Sequence, residues 1–147
     1  MSGGVSVREV AAQDRADWSA LFVDYGVFYG EEFGADVTDG VWAWLMDPAH
    51  QVKALVAELD GRIVGFTNYR RTWDTFTAGP SWFLDDLYTA PDGRGHGVAT
   101  ALIAAVGEKA DGGDVRWITA ADNTTAQRVY DRVAIRTSWV TYELGER

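Results

Sequence analysis

Between Asp85 and Leu102 the chain reads DDLYTAPDGRGHGVATAL, and this run constrains the fold more than any other stretch. Ser81 to Thr89 has the pattern of a strand, which Pro91 ends. Val98 to about Ala110 has helical periodicity, with Val98, Leu102, Ala105, Val106 and Lys109 on one stripe and Asp111 to Gly113 closing it. Between them lie Gly93, Gly95 and Gly97. A glycine-rich loop at a helix start lets backbone N–H groups approach an anion closely, and the helix N-terminus adds partial positive charge. The run is suited to gripping phosphate.

The rest of the chain supplies a single α/β domain over residues 1–147. Ser6 to Val10 alternates as a first strand. A helix capped by Asp14 or Asp17 runs to about Tyr25, with Trp18, Leu21, Phe22 and Tyr25 on one face. Gly26 to Gly34 is irregular and aromatic. Thr38 or Asp39 caps a second helix that stops before Pro48. Val52 to Leu59 and Arg62 to Tyr69 read as strands joined by the hairpin signal Asp60-Gly61, and Arg70 to Pro80 as a loop. After the glycine loop and its helix come a strand over Val115 to Ala120, a helix over Thr124 to Val133, and a last strand over Thr137 to Leu144. The predicted order is β-α-α-β-β-β-α-β-α-β, a mixed, mostly antiparallel sheet with helices on both faces.

Composition excludes several functions. The formal net charge is −9, with no basic stripe, which disfavours nucleic acid and favours cationic partners such as amines. Cysteine is absent, so there is neither a thiol nucleophile nor a thiolate metal site. The two histidines, His50 and His96, are far apart in sequence, and no metal site is expected. No apolar run reaches the ~18–20 residues of a membrane span, and the first residues lack the pattern of a secretory signal. The expected setting is the cytoplasm.

Three readings of the glycine loop compete. A dinucleotide fingerprint starting at Gly95 lacks its third glycine, because Thr100 stands there, and it follows a meander instead of a first strand. A nucleotide-hydrolysing loop needs Gly-Lys-Ser/Thr, which is missing. The third reading is Arg94-x-x-Gly97-x-Ala99, which resembles the phosphate loop of the GNAT superfamily of coenzyme A-dependent N-acetyltransferases. A plain turn capping a helix would share that short motif. The resemblance runs end to end, however. ITAADNTTAQRVYDRV is similar to that superfamily's second motif, with Asn123, Ala126 and Tyr130 in register. LDDLYTAPDGRGHGVATAL, the ending RVYDRVAIRTSWVTYEL and Tyr25-x-x-Phe28-Tyr29 look closest to the branch of diamine and polyamine acetyltransferases and yeast histone/polyamine-type enzymes. Val133-Ala134-Ile135 departs from the Gly-Phe or Gly-Tyr often found after the last helix, which bears on the route into the last strand.

The resemblance implies acetyl-CoA as cosubstrate and a role for each matching position. Arg94, Gly95, His96, Gly97, Val98, Ala99 and Thr100 would cradle the diphosphate, with His96 contributing backbone. Leu87, Tyr88 and Thr89 would pair with the pantetheine arm along a fourth strand splayed from the fifth, and a backbone N–H at Leu87 or Tyr88 would face the oxyanion. Asn123 and Ala126 would sit beside the cofactor, with Asn123 capping a helix. Tyr130 would be the proton donor to the departing thiolate; helical spacing alone makes it a core tyrosine. Asp85 and Asp86 are the candidate ammonium binder and general base. Adjacent strand residues face opposite ways, so both reach one site only if a bulge intervenes. Tyr25, Tyr29, Glu31 and Glu32 are candidates for the acceptor site, as are Trp42, Trp73 and Trp82 for its walls.

The expected activity is direct acetyl transfer to a primary amine: a polyamine, a lysine-like amino acid or a basic peptide tail. A non-catalytic acyl-CoA-binding sensor is the alternative, and an antibiotic- or herbicide-inactivating relative differs only in acceptor. A homodimer is expected from the resemblance, with the tryptophan-bearing last strand suited to an interface.

Overall fold

The computed structural model describes residues 4–145. Its sheet contains β1 (Ser6–Glu9), β2 (Val52–Leu59), β3 (Arg62–Asp74), β4 (Gly79–Thr89) and β5 (Val115–Arg116), in that spatial order. The first four strands are antiparallel and β5 joins β4 in parallel. Helices α1 (Arg15–Phe28) and α2 (Ala35–Leu45) cover one face; α3 (Val98–Ala110) covers the other. A fourth helix, α4 (Thr124–Val133), follows β5.

Alternating burial along the strands, shifted on β3 by a bulge that leaves Val64 without a partner on β2, divides the core in two. Ala54, Val56 and Phe66 meet Trp18, Leu21, Phe22, Trp42 and Leu45 from α1 and α2. Leu55, Ala57, Val64, Tyr69 and Leu84 meet Val98, Leu102 and Val106 from α3. Lys109, at the end of the α3 stripe, reaches solvent and pairs with Glu9 at 2.6 Å.

Several elements depart from the sequence reading. Helix α1 continues to Phe28, and Asp14 does not cap it: its carboxylate accepts from Arg8 and from the Ala11 N–H. Helix α2 starts at Ala35 with Gly34 at its cap, ahead of Thr38 and Asp39, because Thr38 is turned into the core. The expected loop over 70–80 is mostly hairpin. β3 and β4 stay paired out to Asp74 opposite Gly79, and the Arg71 guanidinium lies 4.6 Å from the Trp73 ring and 5.8 Å from Trp82. These cation–π contacts hold a segment whose polar composition suggested a loop.

The C-terminal part differs more. β5 is two residues long instead of six, and Trp117 to Ala120 continue without ladder pairing. The expected last strand over 137–144 does not form; Trp139, Val140, Tyr142 and Leu144 are exposed. Alternation alone makes no strand, since the ladder needs a neighbour, and none of the sheet's described strands pairs with it.

Candidate active site

The site lies where β4 leaves β5. Only Trp82 opposite Val115 and Phe83 opposite Arg116 are paired; from Leu84 to Thr89 the β5 side of β4 is open. Along an antiparallel strand every second residue directs its N–H and C=O away from its partner. Part of the backbone between Asp85 and Thr89 therefore faces a cleft, lined by Tyr25, Tyr29, Leu84, Asp85, Asp86, Leu87, Trp117, Ile118 and Tyr130.

A bulge brings both aspartates to that cleft. Asn68 pairs with Asp86 and Tyr69 with Leu84, so Asp85 is the extra residue without a partner on β3. The two carboxylates have different surroundings. Asp85 Oδ1 is 3.1 Å from Arg70 Nε, while its Oδ2 is buried with no hydrogen-bond partner. Burial raises its pKa, and Arg70 opposes the rise. Asp86 Oδ2 accepts from Asn68 Nδ2 at 2.9 Å. Burial raises its pKa too, against hydrogen bonds from Asn68 and Tyr25. The Tyr25 hydroxyl also lies 3.5 Å from the Asp85 carbonyl oxygen, and burial followed by the Asp86 charge pushes its pKa far up.

Opposite β4, Tyr130 of α4 packs edge-on against Trp117, with ring centroids 5.4 Å apart. Burial, then Tyr29, pushes its pKa up to about 12, so the phenol keeps its proton at neutral pH. Asn123 caps α4 through the Ala126 N–H and donates from Nδ2 to the Tyr29 hydroxyl at 3.4 Å, linking α4 to the end of α1.

The glycine loop forms at the far end of β4. Gly93 is excluded from the anion-binding group by packing: a Cβ there would sit 2.7 Å from Val64 Cβ. Gly95 and Gly97 have φ of +82° and +78°, and a Cβ on either would meet only open space. Helix α3 then starts without a side-chain cap; its first helical bond runs from the Ala101 N–H to the Gly97 carbonyl. The first-turn N–H groups of Val98, Ala99 and Thr100 thus have no intrahelical acceptor. An uncapped, glycine-lined helix start open to solvent suits a diphosphate. Arg94 folds back, donating from Nε to the Thr89 carbonyl and stacking over Tyr88. The His96 side chain is exposed.

Some candidates are not brought together. Glu31 and Glu32 are exposed and do not line the cleft. Trp42 belongs to the core, and Trp73 and Trp82 flank Arg71 away from the cleft. Conversely, Asn68, Arg70 and Trp117 escaped the sequence reading. Asn68 alone carried a signal there: a polar residue in the otherwise core-forming run Ile63 to Tyr69.

Comparison with known proteins agrees with this fold. Residues 16–134 match the Acetyltransferase (GNAT) family, and the chain belongs to it. It is therefore an acetyltransferase, of a family whose acyl donor is acetyl-CoA. A curated relative, the D-amino-acid N-acetyltransferase HPA3 of Saccharomyces cerevisiae, is 27% identical over 144 residues, covering 95% of this chain and 89% of that protein. Among solved structures, a ribosomal-protein-alanine N-acetyltransferase from Brucella melitensis biovar Abortus 2308 superposes with TM-score 0.81 at 21% identity, over 98% of this chain and 100% of that one. The aminoglycoside enzyme AAC(6')-Iy, solved with a bisubstrate analogue of CoA and acetylneamine, gives TM-score 0.83 at 20% identity over 99% of both chains. At these identities the structural likeness concerns the fold.

Proposed function

We propose that this chain acetylates a cationic primary amine, a polyamine, a lysine-like amino acid or a basic peptide tail, within a ternary complex. The observation that carries this reading is the bulge that turns two carboxylates into one cleft, one of them with a buried, unpartnered oxygen. Asp85 is the ammonium anchor: Arg70 favours its charged form, and Oδ2 lacks a donor that a substrate cation would supply. Asp86 has no cationic partner and is made more basic by burial, which suits it to remove the amine's proton. The freed amine nitrogen forms the new C–N bond to the thioester carbonyl carbon. A backbone N–H of Leu87 or Tyr88 on the open side of β4 faces the developing oxyanion. Tyr130 gives its proton to the sulfur as the C–S bond breaks, and the Gly95–Thr100 loop holds the diphosphate through backbone N–H groups. Asn123 and Ala126 fix the start of α4 and hence Tyr130.

The yeast relative favours a second acceptor class, a D-amino acid with its free carboxylate. For that acceptor Arg70, 44% exposed beside Asp85, is the cation available to the carboxylate. Thiol release from acetyl-CoA, measured against polyamines, D- and L-amino acids, aminoglycosides and histone-tail peptides, decides between them. Preference for diamines supports the first reading, and preference for D-amino acids the second. Loss of release with every amine would remove both.

We also propose that the working unit is a homodimer, in the cytoplasm, in which the strand-patterned arm 137–144 finds its ladder partner on a second copy.

A further inference from the structure

We propose that Trp18 and Asn68 are positioning residues that lock the Asp86 carboxylate with Oδ2 as a permanent acceptor, so that the proton taken from the amine is carried on Oδ1. This inference rests on the reading of Asp86 as the base. Its observation is a straight relay through the core. Trp18 Nε1 donates to Asn68 Oδ1 at 3.1 Å, and Asn68 Nδ2 donates to Asp86 Oδ2 at 2.9 Å.

The chemistry of the three groups fixes the direction of the relay. An indole nitrogen only donates, and a primary amide has one accepting and one donating end. Trp18 and Asn68 are 0% and 1% exposed, so neither can turn to solvent for another partner. Flipping the amide would oppose two donors at Trp18 and two acceptors at Asp86. The indole therefore selects one amide orientation, and that orientation presents an N–H to Asp86 at all times. An oxygen that takes the proton becomes a poorer acceptor, so the bond from Asn68 favours Oδ1 as the oxygen that takes it. The backbone is fastened at the same place: Thr67 Oγ1 donates to the Asp86 carbonyl at 2.8 Å.

The lock also tunes the base. The bond from Asn68 favours the carboxylate and opposes the effect of burial. Among the described residues, the titratable and charged groups around Asp86 are Arg70 on β3, Asp85 on β4, Tyr25 on α1, Tyr29 just after it, and Tyr130 on α4. Arg70 is engaged with Asp85, and burial pushes the Tyr25 and Tyr130 hydroxyls up, so both keep their protons near pH 7. Asn68 is thus the main group on β3 that holds the Asp86 basicity down.

The test is the pH profile of kcat/KM for the amine. Asp86→Asn should abolish the acid limb; if the limb persists unmoved, Asp86 is not the base, and the function proposed above loses its mechanism. With that control in place, Asn68→Leu should move the limb upward by roughly 1–2 pH units, the scale of one lost hydrogen bond to a charged group. Trp18→Phe keeps an aromatic ring but frees the amide to flip, and should move the limb in the same direction by less. It carries the test if Asn68→Leu does not fold. A uniform loss of rate with the limb in place, or a downward shift, would reduce Trp18 and Asn68 to packing residues and overturn the lock while leaving Asp86 as the base.

Discussion

Asp85 and Asp86 are neighbours in sequence with opposite surroundings, and single substitutions should separate them. Asp85→Asn removes the charge next to the unpartnered oxygen and should raise KM for diamines about tenfold more than for monoamines, measured by thiol release. Equal effects on both would take Asp85 out of cation recognition. Tyr130→Phe deletes a proton that its raised pKa keeps in place at neutral pH. Turnover should fall by roughly 10²-fold, the low end for general acid catalysis, with KM for acetyl-CoA nearly unchanged. A third, more deeply buried carboxylate serves stability instead. Asp14, at 4% side-chain exposure, accepts from Arg8 and the Ala11 N–H, and its pKa is lowered, chiefly by the Arg8 hydrogen bond. Its contribution is fully present above the ordinary value near 3.8 and is lost as pH falls below it. Asp14→Ala should cost roughly 1–3 kcal/mol at pH 7 and less near pH 3 in urea melts.

Among the elements, the glycine loop and α3 form one functional piece, and two glycines test it against each other. Gly97→Ala forces a Cβ into a left-handed backbone, at a cost of about 1–2 kcal/mol, and intrudes where the diphosphate is proposed to sit. CoA affinity by calorimetry should fall tenfold or more. Gly107→Ala, inside α3 with open space around it, should stabilise by about 0.5–1 kcal/mol and leave CoA binding alone. This piece was legible in the sequence because its physics is local: Pro91, the spaced glycines and the period of α3 each act within a few residues. The order of strands up to β4 was legible for the same reason, through alternation and Asp60-Gly61. What decides the site is less local. The bulge depends on how Asp85 and Leu84 register against Tyr69, and the relay from Trp18 joins residues 50 positions apart. The hairpin out to Asp74 rests on Arg71 meeting rings across two strands, which no composition window reports.

At the scale of the whole molecule the sheet ends early. β5 offers two paired residues, yet Ile118, exposed, and Trp117 continue along it and line the cleft. Beyond α4 the segment 137–144 alternates in sequence, and its apolar set Val140, Tyr142 and Leu144 is exposed. An extended segment with one apolar face gains little in isolation and much against a sheet edge. In the proposed dimer the arm of one copy lies along the β5 edge of the other and covers Ile118, so assembly and the cleft wall are linked. Light scattering on the full chain should give twice the chain mass at micromolar concentration. Val140→Asp with Tyr142→Asp puts charge on the side of that arm buried in the proposed dimer and should leave a folded monomer that keeps the helical circular-dichroism signal. Because the arm shields one wall of the cleft, KM for the amine should rise in that variant while CoA binding at the distant glycine loop holds. A native chain that stays monomeric across this range, or a double variant that remains dimeric, would rule the exchange out.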